Sequence, residues 1–195
     1  MGDVGFVVRE PLGEKRHVIG IRIHGRGGQG AVTFAHILAM AATFEGKYGQ
    51  SSQGVVIERR GTPIEGYARI GHRPIAERGM ITSPDYVVVI DPLVAKAVNV
   101  EAGLAEDGMI IANLPSELKF HHPCVFLDAT SIALEVLGAP ITNTVMLGAF
   151  VAATGLVSME SIEKGTRFIM GKKVLPEMIE KNLLAIRRAY EEVKR

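Results

Sequence analysis

Between His17 and His24 the chain alternates apolar and polar residues, with Ile19, Ile21 and Ile23 on one side. A period of two predicts a strand. The turn GRGGQG (25–30) follows, and AVTFAHILAMAATF (31–44) then repeats its apolar residues at helical spacing, with Gly46 placed to stop the helix. Lys47 to Arg60 is polar and glycine-bearing and predicts a loop, while Ile64 to Ile70 alternates again and predicts a strand. Tyr86–Asp91, Met109–Asn113 and Cys124–Asp128 are short apolar runs, the pattern of strands buried on both faces. The last third predicts helices: Asp128–Leu137 stopped by Gly138, one N-capped by Asn143, one N-capped by Ser158, and an amphipathic Val174–Arg195. Strands alternating with helices predict an α/β fold, a single three-layer α/β/α domain over residues 17–195 with a mostly parallel sheet. Its strand–glycine loop–helix opening is Rossmann-like. Residues 1–16, rich in Gly and charge, form a lead-in.

A length of 195 residues suits one domain. Lys and Arg number 22 against 21 Asp and Glu, a net charge of +1 that offers no field for nucleic acid or an anionic membrane. The one cysteine, Cys124, makes neither an intrachain disulfide nor a Cys-rich zinc site nor an iron–sulfur cluster. Cluster chemistry, if any, belongs to another chain. Mean hydropathy is +0.21. Yet the longest nearly apolar stretch, Val145–Val157, falls short of the ~18–20 residues of a spanning helix. The charged start has no signal-type apolar run. These features predict a cytoplasmic chain without a membrane segment, its excess apolar surface covered by partners.

The sharpest local signal is Gly25, Arg26, Gly27, Gly28, Gln29 and Gly30. Glycines at a strand-to-helix turn let a phosphate approach the backbone, and the helix amides attract it. A nicotinamide or flavin dinucleotide site also needs a second parallel strand ending in an acid. Here GKYGQSSQG is a poor strand, Glu45 sits at the helix end and Glu58 comes late. A triphosphatase loop needs Lys and Ser/Thr where this chain has Ala31 and Val32. The turn could also be purely structural, but Arg26 and Gln29 are long polar groups where a ligand or partner would sit.

Glu58, Arg59 and Arg60 read either as a solvated turn or as a subunit-interface clamp or anion contact. Asp91, Asn113 and Asp128 end strands, so they either line one crevice or cap helices. The adjacent His121 and His122 have no ligand partner at a recognised spacing, so no metal site is expected. His24 and Cys124 read as structural, and Met146, Phe150, Met159, Phe168, Met170 and Met178 as core or interface.

Taken together, HGRGGQGAVTFAHILA, EGKYGQ, ERRGTPIEGYARI, PDYVVVIDP and TNTVMLGAF, in that order, resemble the gamma subunit of the 2-oxoacid:acceptor oxidoreductases of the pyruvate:ferredoxin type. The resemblance runs from about Ile19 to the last helix. It implies a multisubunit enzyme that oxidatively decarboxylates a 2-oxoacid to an acyl-CoA and passes electrons to ferredoxin. It also implies that thiamine diphosphate with Mg2+ and the [4Fe-4S] clusters lie on alpha, beta and delta-type partner subunits. This chain would hold no cofactor of its own and no catalytic residue, and its glycine loop would help form the coenzyme A access route. Pro63 is nearer the pyruvate-type pattern. Gln50–Gln53 departs from the family's aromatic–proline segment and would form a loop near the active-site cleft. A freestanding NAD(P)- or FAD-binding oxidoreductase and a non-catalytic scaffold subunit remain the alternatives.

Overall fold

Ile21 and Ile23 are wholly buried, as the alternation around them requires, and the strand that carries them lies inside a six-stranded sheet. The computed structural model describes residues 18–54, 61–114, 118–171 and 173–194. The 1–16 lead-in and Glu58, Arg59 and Arg60 lie outside the described residues. In chain order the elements are β1 (Val18–Arg26), α1 (Ala31–Phe44), β2 (Tyr48–Gln53), β3 (Pro63–Gly71), β4 (Tyr86–Val89), α2 (Pro92–Ala97), β5 (Met109–Asn113) and β6 (Cys124–Leu127). Four helices close the chain: α3 (Ala129–Leu137), α4 (Thr142–Thr154), α5 (Met159–Met170) and α6 (Pro176–Lys194).

The strand order is β2-β3-β1-β4-β5-β6. β1, β4, β5 and β6 pair in parallel, and β3 lies antiparallel between β1 and β2. The sheet is thus mostly parallel, in an α/β fold.

The two faces are covered unequally. Ile19, Ile21, Ile23, Val88, Ile90 and Ile111 pack into one large core with α1, α3, α4, α5 and α6. Val87, Val89, Ile110 and Ala112 point the other way, onto the short α2 and the connections carrying Val100, Leu104 and Leu114. Every residue of α4 is buried, the signature of a helix enclosed on all sides. α6 is amphipathic and turns Ile179, Leu183, Ile186, Ala189 and Val193 inward.

Two sequence expectations change, and a third narrows. Residues 48–53 form a strand, not a loop, and so place Gln50–Gln53 on the sheet's edge. β2 meets α1 through small and polar residues, Gly49 against the Ala39 backbone, so it carries no apolar alternation and is exposed or half-buried throughout. Asn143 does not cap α4: the helix begins at Thr142 with Ile141 before it. Asn143 instead sends its amide to the Gly30 carbonyl, at a long 3.4 Å. Phe168 lies outside the core, 58% exposed and meeting Phe44 edge-on, which leaves the interface half of its expected role. Ser158 and Asp128 do cap their helices, accepting from the Ser161 and Ser131 amides.

Candidate functional site

The glycine loop leaves the carboxyl end of β1, beside the carboxyl end of β4, where open α/β sheets hold their ligands. Gly28 and Gly30 both have positive φ, +91° and +80°. Several loop amides are used internally. The Arg26 amide donates to Gln29 Oε1 at 2.7 Å, the Gly27 amide to Thr62 O at 2.9 Å and the Gln29 amide to Arg26 O at 2.9 Å. Among the described residues the Gly28 and Gly30 amides have no partner. Of the loop expected from the sequence, these two amides are the ones open to an anion, at the N-terminus of a 14-residue helix.

Asp91 fixes the rest of the loop. Its Oδ2 accepts from Arg26 Nε at 2.9 Å and Nη2 at 2.7 Å and from Gln29 Nε2, while its Oδ1 accepts from the Leu93 amide at 2.7 Å and caps α2. Burial pushes this carboxyl up, but the hydrogen bonds from Gln29, Arg26 and Leu93 outweigh it and leave its pKa below the usual range. Arg26 is therefore already charge-paired, and its Nη1 donors are what it can offer outward. The other two strand-end residues serve the fold: Asn113 donates to Ile90 O at 2.8 Å, and Asp128 caps α3.

Beyond the loop lies a groove of about 510 Å³, lined by Gly28, Gly30, Asn143, Lys173, Ile141 and Val174 among others. It is assembled from the loop and the segments that open α4 and α6. A larger cavity of about 660 Å³ lies at the far end of α4, by Glu45 and Lys194. Glu45 is committed there, accepting from Lys47 Nζ at 2.7 Å and from the Ser158 amide at 2.6 Å. The parallel neighbour of β1 is β4, and Asp91, the acid that follows it, is spent on Arg26, Gln29 and the Leu93 amide. The strand that follows α1 is β2, and the antiparallel β3 separates it from β1, unlike the βαβ unit of a dinucleotide site.

The remaining described candidates have partners within the fold. Glu101 takes the backbone amides and Nδ1 atoms of both His121 and His122. Among the described residues, no group of His, Cys, Asp and Glu is arranged to hold a metal ion. Burial pushes the Cys124 thiol up, away from thiolate chemistry.

His24, 2% exposed, accepts from Arg22 Nε at 3.1 Å and lies 3.5 Å from Glu65. Burial lowers its pKa to about 4, more than Glu65 raises it. The folded chain keeps His24 neutral where the unfolded chain takes up a proton. Stability should therefore be intact above the ordinary histidine pKa of 6.5 and fall as pH drops toward about 4. The loss should be roughly 3 kcal/mol. Thermal melts between these pH values should flatten in His24→Gln; an unchanged slope would remove His24 as the cause. Glu45 and Glu101, each lowered to about 2, would act only below their ordinary 4.5.

Likeness to known proteins gives the family. The family model for pyruvate ferredoxin/flavodoxin oxidoreductase matches residues 20–192. The common subunit gamma of pyruvate/ketoisovalerate oxidoreductases from Pyrococcus furiosus is 46% identical over 185 residues, covering 91% of this chain and 98% of that one. Pyruvate synthase subunit PorC from Methanothermobacter thermautotrophicus is 47% identical over 180 residues, covering 91% and 97%. The crystal structure of the pyruvate oxidoreductase subunit PORC from Thermotoga maritima superposes with a TM-score of 0.76 at 36% identity, over 90% of this chain and 97% of that one. The chain belongs to the pyruvate ferredoxin/flavodoxin oxidoreductase family, and within it is a gamma-type subunit.

Proposed function

We propose that this chain works as the gamma subunit of an assembly that converts pyruvate and coenzyme A to acetyl-CoA and carbon dioxide, with two electrons leaving for ferredoxin. The observation that carries this reading is the near end-to-end match to a relative named as a gamma subunit, 98% of its length at 46% identity. The donor set agrees: a single Cys with a raised pKa does not fit a cluster ligand, and on this reading the clusters and thiamine diphosphate lie on alpha, beta and delta-type partners. This chain's own part is to seat an anion. The Gly28 and Gly30 amides, with the outward Arg26 donors held in place by Asp91, suit the pyrophosphate of coenzyme A. No helix among the described residues is long and apolar enough to cross a membrane.

The test is an affinity tag on this chain, anoxic purification from the native cell, and identification of what comes with it. Chains bearing cluster ligands and a thiamine diphosphate motif should co-purify, and the preparation should reduce ferredoxin only with pyruvate and coenzyme A both present. A lone chain that oxidises a substrate with its own tightly held nucleotide would overturn the reading.

A further inference from the structure

We propose that Asn143 is a specificity-determining residue of the glycine-loop site. Its Oδ1 accepts a hydrogen bond from an N–H of the ligand whose phosphate sits on the Gly28 and Gly30 amides, and Lys173 offers its ammonium to the same anion from the groove's rim. The inference rests on the reading above that a phosphorylated ligand occupies the loop.

A helix N-terminus attracts any anion and by itself reads nothing else. Asn143 adds a second, independent demand. It is 7% exposed, it lines the groove, and its Oδ1 is buried without a hydrogen-bond partner among the described residues. A buried acceptor left unpaired costs free energy until a donor reaches it. No neighbour among the described residues donates to it. The Thr144 hydroxyl is spent on Asn182 Oδ1 at 2.6 Å, the Asn182 amide on Met178 O at 2.7 Å, and the Thr142 hydroxyl on Ile90 O at 3.4 Å.

The Asn143 side chain also lies against the loop itself. A Cβ built on Gly30 would meet its Nδ2 at 2.3 Å. The tie from Nδ2 to Gly30 O is long at 3.4 Å, and the terminal torsion of asparagine is broad. The amide is therefore loosely tied, and rotation about that torsion is what would present Oδ1 to the groove. Ile141, Ile169, Met170 and Val174 give the groove apolar walls, so the ligand has an N–H on an otherwise weakly polar portion near its phosphate. Coenzyme A carries such donors in two places, the pantetheine amides and the adenine amino group.

The experiment uses the assembled complex and the variants Asn143→Leu and Asn143→Ala. KM is measured for coenzyme A and for pyruvate, with inhibition by adenosine 3′,5′-bisphosphate and by 4′-phosphopantetheine. Both variants should raise the coenzyme A KM about tenfold and leave the pyruvate KM and the saturated kcat alone. Weaker inhibition by the first fragment assigns the bond to adenine, and by the second to pantetheine. An unchanged coenzyme A KM, with Arg26→Ala raising it, would sink the role of Asn143 and spare the loop. If Arg26→Ala also leaves it unchanged, the loop reading itself falls. Should the Asn143 variants fail to assemble, Lys173→Met on the exposed rim decides: a rise of a few-fold in coenzyme A KM that fades at high salt supports the site, and no rise overturns it.

Discussion

Replacing Gly148 by alanine should cost about 3 kcal/mol, the upper end of what overpacking a core usually costs. Gly148 lies midway along α4, and an added Cβ would stand 2.0 Å from Ile186 O and 3.1 Å from Ala189 Cβ. The first of these is backbone of α6, so no side-chain rotation relieves it. The two helices must separate, and α4 has nowhere to go because all of its residues are buried. Gly165→Ala makes a graded comparison. Its Cβ would meet Ile37 O at 2.9 Å, a milder intrusion of α5 on α1. Urea unfolding of both variants should show a lower midpoint with unchanged m, and the larger drop in Gly148→Ala. Equal midpoints would mean that α4 and α6 are not held as closely as described.

Where the sequence was readable, burial had forced a pattern on it. β1 shows its period because one face meets the helical core, and β4 and β5 read as apolar runs because both faces are covered. β2 carries no such imprint, since the edge strand YGQSSQ meets α1 through glycine and small polar residues. The direction of β3 was equally hidden. Its alternation serves an antiparallel neighbour as well as a parallel one, and only the pairing of Val18 with Gly71 through Arg26 with Pro63 reveals its antiparallel course.

The site was legible in part for the same reason. A glycine turn between strand and helix announces an anion seat, and Arg26 and Gln29 stand out as polar. What they do there depends on Asp91, 65 residues further on, which no local spacing connects to them. Asn143 carried a misleading signal. An Asn ahead of an apolar helix is what an N-cap looks like, and only the packing of α4 against the loop turns its amide toward Gly30 instead.

That packing sets the last expectation, a contrast between two glycines of one loop. Gly28 and Gly30 share the left-handed backbone conformation, so alanine at either should cost about 1 kcal/mol through φ alone. Around Gly28 nothing lies within 4 Å of an added Cβ, and the cost should end there. At Gly30 the methyl would take the place of Asn143 Nδ2 at 2.3 Å and Cγ at 2.8 Å, so the amide must swing away. The total in Gly30→Ala should reach about 2–3 kcal/mol. The excess belongs to Asn143, because Asn143→Ala removes the atoms in conflict. In the double variant the two losses should therefore add to less than their sum, by about 1 kcal/mol. Strict additivity in that cycle would show that Asn143 does not press on the loop, and with it would go the contact by which α4 reaches Gly30.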